Sequence, residues 1–308
     1  MLLRGLAVAA TAGMFLVLVM GATVTNTGSA QGCGQSWPLC NGRLVPEFTL
    51  ATAIEYSHRA VTGVEGILVV LLAVGVLLRA HTREVWLLVG LMLGFLFLQA
   101  GLGAWAVLAP QSPLVLASHF GISLIAFAAV FLAAVWVFQP RYARPPKVSA
   151  GYRGLVVGTT AYVLGVVYLG AYVRHAGVSL ACQDWPLCNG QVWPGFDGAA
   201  GVVFAHRLAA LGALVWLGSL AWRSRQLPRD LRLGSVVAFA LGLAQAFSGA
   251  VVVWTRLGLF GTLAHAALIS LLFASLAFLV RRVVSADRAA ELTTDSGRAR
   301  RAAAGARP

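Results

Sequence analysis

Eight long apolar runs with little chain between them constrain the fold of this sequence more than any other feature. A helix that crosses the hydrocarbon core of a bilayer needs ~20 largely apolar residues. Only 11% of the 308 residues are charged, against ~25% in an average soluble protein. The sequence therefore predicts an all-α integral membrane protein and leaves no room for a soluble domain of useful size. The eight predicted spans are Gly5–Val24, Ile54–Leu78, Val85–Leu108, Leu114–Phe138, Leu155–Val173, Gly201–Trp222, Leu233–Trp254 and Thr262–Val284.

The positive charges are distributed unevenly between the two sides that eight spans define. A net charge of +13 would suit a nucleic-acid-binding protein if the charges formed one patch. Of the 23 Lys and Arg residues, however, only five fall on one side, and in membrane proteins the excess of positive charge lies on the cytoplasmic side. We therefore expect a multi-pass protein of the cell membrane, in contact with the lipid bilayer and not with nucleic acid, with both termini cytoplasmic. The five residues are Arg43, Arg59, Arg174, Arg207 and Arg256.

The second half of the chain repeats motifs of the first half at a nearly constant distance. Trp-Pro-Leu-Cys-Asn-Gly occurs at 37–42 and again at 185–190, and His-Arg occurs at 58–59 and again at 206–207. Arg-Gly-Leu at 4–6 recurs at 153–155, so we interpret the first run as a retained span and not as a cleaved signal peptide. An internal duplication explains these matches.

The duplication predicts two tandem four-helix bundles in the same orientation, because four spans return the chain to the side on which it began. Residues 1–140 would form the N-terminal unit, 141–152 a cytoplasmic linker and 153–284 the C-terminal unit. The segment 285–308 has almost no large apolar residues, and we expect it to be a disordered cytoplasmic tail.

Four of the six histidines begin even-numbered spans, which run from the outer side inwards. The four are His58, His119, His206 and His265. Each lies ~6–9 Å from the start of its run at 1.5 Å per residue, so the topology places all four in one layer near the outer face. A single histidine there would suit a hydrogen bond between helices, but a duplicated pair suits the two axial positions of a haem iron. His81 and His175 have no repeat partner, and we interpret them as surface residues.

Several polar residues accompany these histidines. Arg59 and Arg207 follow the first histidine of each pair at the water interface, where a guanidinium group either pairs with a haem propionate or only extends to water. Gln99 and Gln245 lie within spans, where an amide either binds a group in the site or joins two helices. Glu55 lies one turn before His58.

The two halves differ most at Glu55. The corresponding residue of the second half is Val203, 148 residues later. A carboxylate at a helix N-terminus can simply stabilise the helix dipole, by ~0.3–1 kcal/mol. The alternative is a role in handling protons during a reaction at the first site that the second site does not perform.

The four cysteines lie in the two loops on the outer side. Their short spacing within each loop predicts two disulfides, Cys33–Cys40 and Cys182–Cys188, in an oxidising compartment. We interpret the second bridge as structural. For Cys33 and Cys40 a redox role is equally compatible with the sequence, because their loop leads directly into the first histidine motif.

The cysteine loops, the two His-Arg pairs, the later histidine of each half and the four-plus-four duplication together resemble the haem A synthase family, in its cysteine-containing bacterial form. The resemblance covers Arg4 to Val284. It implies a membrane enzyme, an oxidoreductase that oxidises a methyl group of haem O to the formyl group of haem A for cytochrome oxidase. It also implies haem O synthase (protohaem farnesyltransferase) and cytochrome oxidase assembly factors as partners, with an electron donor that the sequence does not identify.

The resemblance also implies which histidines hold which haem. His58 and His119 would bind the substrate haem iron, and His206 and His265 would bind the iron of a haem b prosthetic group. The family's functional glutamate would correspond to Glu55.

The family's first-loop cysteine pair would correspond to Cys33 and Cys40, with a catalytic role. Glu65, seven residues after the first histidine, has no counterpart in the family pattern, and the sequence does not indicate its role.

Two other functions remain compatible with the residues alone. An electron-carrying cytochrome with two b haems would need the four histidines but not Glu55. A quinone-linked thiol oxidoreductase would use the outer cysteines but leave the duplicated histidines unexplained. The haem content of the purified protein would separate these classes.

Overall fold

The computed structural model describes residues 1–109, 112–139 and 146–305, with side chains described to residue 284. Over these residues it consists of α-helices and connecting loops, without a β-strand. Eight of its helices are long and apolar enough to cross a membrane, so the predicted spans are confirmed. The helices are α1 (Leu2–Asn26), α2 (Leu50–Arg79), α3 (Arg83–Leu108), α4 (Pro113–Phe138), α5 (Ala150–His175), α6 (Gly198–Arg223), α7 (Arg229–Trp254) and α8 (Leu259–Gly305).

Polar residues just before the apolar runs determine where several helices begin. Thr49, Thr82, Ser112 and Ser149 each accept a hydrogen bond from the backbone N–H three residues later. Such a side chain satisfies one of the helix-terminal N–H groups, which would otherwise be without a partner. Helices α2 to α5 therefore begin at sites that the sequence marks chemically, a few residues outside the apolar runs.

The centre of the molecule is formed by α1, α4, α5 and α8. Helix α4 packs against α1, α3, α5 and α8, and α8 in turn packs against α1, α5 and α7. The buried face of α4 consists largely of alanines, which allow close approach between membrane helices. They are Ala117, Ala126, Ala128, Ala129, Ala133 and Ala134. We call α1–α4 the first half and α5–α8 the second half; their origin by duplication stays a prediction.

The two cysteine loops have the same local structure. Each contains a disulfide, Cys33–Cys40 or Cys182–Cys188, as the sequence predicts. In each, the residue after the second cysteine is an asparagine in the left-handed conformation, with φ of 51° at Asn41 and 53° at Asn189. Asparagine tolerates this conformation better than most residues with a side chain. The shared sequence thus specifies a shared loop fold.

Two predicted boundaries differ from the structure. Helix α8 continues to Gly305, whereas the segment from residue 285 was expected to be disordered. This segment is rich in alanine and arginine, which favour helix, and it extends an existing helix without a new nucleation step. Helix α5 begins at Ala150, inside the predicted linker 141–152. Residues 141–145 of that linker and 306–308 of the tail lie outside the described residues.

Candidate functional site

The four histidines of the predicted layer form two pairs, one in each half. His58 of α2 lies close enough to His119 of α4 for charges on the two imidazoles to interact. His265 of α8 has the same relation to His206 of α6. All four side chains are partly buried among the helices at the end of the bundle that carries the cysteine loops. The structure therefore brings together the two residues of each predicted pair.

The histidine nitrogens are poorly satisfied by the protein itself. Nδ1 of His58, His119 and His206 is buried and has no hydrogen-bond partner among the described residues. A buried polar atom without a partner costs ~1–3 kcal/mol, so protein interiors rarely retain one without a reason. Paired imidazoles in an apolar bundle fit the chemistry of axial haem ligation, and each unpartnered Nδ1 is free to donate a hydrogen bond that orients the ring.

His265 has partners at both ring nitrogens. The hydroxyl of Ser248 lies 2.8 Å from its Nδ1 and itself donates to the carbonyl of Gln245 at 2.8 Å. The hydroxyl must therefore accept from Nδ1–H, which leaves Nε2 as the ring's acceptor. The side-chain amide of Gln245 lies 3.0 Å from this Nε2. Gln245 thus contacts a histidine of the site, which is one of the two roles that its position in a span allowed. No sequence pattern had indicated the contact of Ser248 with this histidine.

Glu55 joins the first site to the first cysteine loop. The side chain is only 4% exposed, and both of its carboxylate oxygens have partners. Oε2 accepts from the backbone N–H of Cys33 at 2.8 Å, and Oε1 accepts from Nη2 of Arg59 at 2.5 Å. Arg59 also donates from Nη1 to the carbonyls of Ser36 and Leu39, at 2.7 and 2.9 Å. The carboxylate is therefore part of the contact that fixes the disulfide loop beside His58.

The second half anchors its loop through Arg207, with no acid at the position that corresponds to Glu55. Arg207 donates to the carbonyls of Leu187 and Cys182, at 2.5 and 3.3 Å, and Val203 occupies the place of Glu55. Both arginines therefore have a loop-anchoring role that the sequence did not reveal, and their contact with haem propionates stays a prediction. The second loop is therefore held by Arg207 and, within the loop, by Asp184, while the position of Glu55 carries a valine.

Asp184 reinforces the second loop from within. Its carboxylate accepts from the backbone N–H groups of Gly190 and Asn189, and the bond from Gly190 contributes most to lowering its pKa below the ordinary value. In the first loop the hydroxyl of Ser36 accepts from the N–H of Gly42 at 3.4 Å. The same turn is thus held by an ionised group in one loop and by a neutral group in the other.

Two further residues behave differently from the sequence-based expectations. His175 ends α5 half-buried, close enough to His119 for electrostatic interaction, although we expected a surface residue. The neighbouring Arg174 donates to the side chain of Asn26 in α1 at 2.9 Å, which fixes this end of α5 against the first half. Sequence patterns could not show this, because the contact joins two halves. His81 is exposed, as expected.

Glu65 is almost completely buried, at 2% exposure, and neither of its carboxylate oxygens has a hydrogen-bond partner in the described part of the chain. It lies directly against Gly13 of α1, where a Cβ atom would overlap the carboxyl group. Gln99 is also buried, at 4% exposure, and its backbone carbonyl faces His119.

Comparisons with known proteins agree with this arrangement. A family model described as COX15-CtaA, cytochrome oxidase assembly protein, matches residues 46–277. The chain is 43% identical over 288 residues to the haem A synthase of Symbiobacterium thermophilum, an alignment that covers 90% of this chain and 94% of that protein. It is 43% identical over 286 residues to the haem A synthase of Bacillus licheniformis, with coverage of 90% and 94%. For the haem A synthase of Halalkalibacterium halodurans the identity is 40% over 275 residues, with coverage of 87% and 92%. The extent of these matches shows that the chain belongs to the COX15-CtaA family of cytochrome oxidase assembly proteins.

Proposed function

We propose that this protein is a haem A synthase that oxidises a methyl group of haem O to the formyl group of haem A. The substrate haem would bind in the first half, between His58 and His119. The observation that carries the assignment is the difference between the halves: two similar histidine pairs and two similar loops, with a buried carboxylate at only one of them. An electron carrier has no use for such a group, whereas an enzyme that removes hydrogen from a methyl carbon must handle protons there.

His206 and His265 would hold a haem b prosthetic group in the second half. When bound, this haem supplies one-electron transfer. The protein's contribution is to orient the ligands: Ser248 fixes the ring of His265 through Nδ1 and leaves Nε2 as the acceptor nitrogen. Val203 keeps an ionisable group away from this site, which suits a prosthetic group that is retained and not modified.

Glu55 would hold and transfer protons at the first site. Its Oε1 is bound to Arg59 and its Oε2 to the N–H of Cys33, so the carboxylate has a fixed position one turn from His58. A fixed, buried acid beside the substrate can accept a proton without a large rearrangement. The N–H bond also couples Glu55 to the Cys33–Cys40 disulfide, so a change in that loop would shift the catalytic carboxylate.

The same proposal includes the position of the protein in the cell. The two disulfides favour a location of the loops on the oxidising, outer side of the cell membrane, and the charge distribution favours cytoplasmic termini. Haem O synthase would supply the substrate, and the product would pass to cytochrome oxidase and its assembly factors.

The test is the haem content of the purified protein from a host that makes haem O. Extraction and chromatography should give haem b together with haem O, haem A or a partly oxidised intermediate. A protein that carries only haem b in this host would be an electron carrier, and the proposal would be wrong. A variant without cysteines that still oxidised haem O would exclude the thiol oxidoreductase and also remove the disulfide from the reaction.

A further inference from the structure

A glycine of the preceding helix lies against the ring of each of the four histidines. A Cβ atom on these glycines would lie 2.6–3.4 Å from Cε1 of the imidazole. The pairs are Gly21 with His58, Gly103 with His119, Gly170 with His206, and Gly249 with His265. The contact is closest at Gly170, where a Cβ would lie 2.6 Å from Cε1 of His206. The feature therefore occurs at every predicted ligand and joins each even-numbered helix to the helix before it.

A glycine at this position leaves a backbone carbonyl of its own helix accessible to a side chain of the neighbouring helix. In an α-helix the carbonyl of residue i−4 accepts from the N–H of residue i and keeps a second lone pair. A side chain at residue i lies next to that carbonyl, as two threonines of α1 demonstrate. Thr11 donates to the carbonyl of Ala7 at 2.7 Å, and Thr23 donates to that of Val19 at 2.9 Å. With glycine at residue i, a donor from another helix can approach the same carbonyl.

The histidine rings face these carbonyls. The backbone carbonyl four residues before the glycine lies near enough to the ring to interact with it electrostatically at three of the four pairs. These carbonyls belong to Gln99 for His119, Val166 for His206 and Gln245 for His265. At the fourth pair, the same register places the carbonyl of Val17 below Gly21.

The pair in α7 and α8 shows which ring nitrogen is directed at the carbonyl. Ser248 lies between them: its hydroxyl is 2.8 Å from Nδ1 of His265 and donates to the carbonyl of Gln245 at 2.8 Å. At the other three histidines Nδ1 is buried and has no hydrogen-bond partner within the described ranges. Nδ1–H and the opened carbonyl are therefore complementary groups on facing helices.

We infer that Gly21, Gly103, Gly170 and Gly249 are positioning residues for the haem ligands. Each glycine admits an imidazole onto the helix surface and opens a backbone carbonyl to Nδ1–H, directly or, for His265, through the hydroxyl of Ser248. Nε2 is then the iron-binding nitrogen. This inference rests on the proposed function, because it assumes that the histidines bind haem. Donation from Nδ1 to a carbonyl fixes the tautomer and makes the imidazole a stronger electron donor to the metal.

The decisive comparison is between two alanine substitutions in α5. Gly170→Ala introduces a Cβ at 2.6 Å from His206, whereas Gly165→Ala introduces one with nothing within 4 Å. Both variants carry the same chemical change in the same helix, so the control measures any general effect of the added methyl group. We expect Gly165→Ala to keep the wild-type haem b content, and Gly170→Ala to lose most of the low-spin haem b.

The midpoint potential of the retained haem b distinguishes a positioning role of Gly170 from a simple loss of helix packing. Haem b that Gly170→Ala retains should have a more positive potential than in the wild type, because the ligand no longer donates from Nδ1 and supplies less electron density to iron. Full low-spin haem b at an unchanged potential in Gly170→Ala would overturn the inference. Haem loss of equal size in Gly165→Ala would also overturn it.

A second pair of variants covers the case in which Gly170→Ala does not fold. Gly103→Ala introduces a Cβ at 3.3 Å from the ring of His119, and Gly101→Ala introduces one in open space on the same helix. Haem b in the second half then reports that the protein is folded. We expect Gly103→Ala to keep haem b but to retain less haem O and haem A than Gly101→Ala.

Equal retention of haem O and haem A by these two α3 variants, with normal haem b, would refute the role of Gly103. If the wild type and both controls contain no haem b, the proposed function itself is wrong and the inference falls with it.

Discussion

Replacing Glu55 with glutamine tests the proposed chemistry most directly. The substitution keeps the size of the side chain, removes its ability to titrate and alters one of its two contacts. The amide has one oxygen for two donors, the N–H of Cys33 and Nη2 of Arg59. Its NH₂ group would face whichever donor the oxygen does not accept from. One hydrogen bond is therefore lost at a side chain that is 4% exposed.

The stability cost should be small compared with the effect on product. Loss of a hydrogen bond to a charged group costs about 1.5–3 kcal/mol. We expect the low end of this range, because Arg59 keeps its bonds to the carbonyls of Ser36 and Leu39. The first loop should also stay closed, because Arg59 and the Cys33–Cys40 disulfide still hold it. Glu55→Gln should therefore fold and bind haem b normally.

The assay is haem extraction and chromatography of the purified variant, with thermal unfolding measured in parallel. We expect haem O or a partly oxidised intermediate to accumulate and haem A to be nearly absent. Arg59→Gln is the matched control, since it removes the same ion pair but keeps the carboxyl group. A wild-type yield of haem A from Glu55→Gln would refute the reasoning. An identical block in Arg59→Gln would show that Glu55 acts only by anchoring the loop.

Three further predictions concern the second half and the loops. His206→Ala or His265→Ala should remove the low-spin haem b signal from the absorption spectrum, and a full signal in both variants would show that the ligands are assigned wrongly. Cys33→Ser should abolish haem A while haem b remains if the disulfide takes part in the reaction; if it is only structural, activity and unfolding temperature should fall together, with a loss of ~2–3 kcal/mol. Ser248→Ala should leave Nδ1 of His265 without its partner, and redox titration should then give a more positive haem b potential than in the wild type, whereas an unchanged potential would exclude Ser248 as a determinant of that ligand.

The eight spans and the two cysteine pairs could be predicted because their signals are local. An apolar run of this length has few alternatives to a membrane helix, and two cysteines in one short loop have few other partners. The placement of the histidines in pairs also followed from topology, since alternate spans begin on the same side. The repeated His-Arg motif indicated His58 and His206, and the later histidine of each half indicated His119 and His265. The structure places the two histidines of each half near one another.

The contacts around these residues could not be predicted, because they depend on the packing of separate helices. Gly170 and His206 are 36 residues apart in the sequence, and nothing near either residue indicates that they meet. His175 was interpreted as a surface residue because it has no repeat partner. Its proximity to His119 joins the two halves, so no local sequence pattern could indicate it. The positions of Arg59 and Arg207 were compatible with contact to a haem propionate or with extension to water. Their bonds to loop carbonyls could not be predicted, because they depend on how each loop folds over its helix.

The hydrogen bond between Arg174 of α5 and Asn26 of α1 bears on when the surroundings of the first histidine pair are completed during synthesis. Arg174 binds Asn26, and the adjacent His175 lies beside His119, so one end of the fifth helix completes the surroundings of a histidine pair in the first four. During synthesis α1–α4 leave the ribosome before α5 does. The nascent chain therefore exposes the first pair before its neighbouring residues exist, and the environment of that pair reaches its final form only after the fifth helix has entered the membrane.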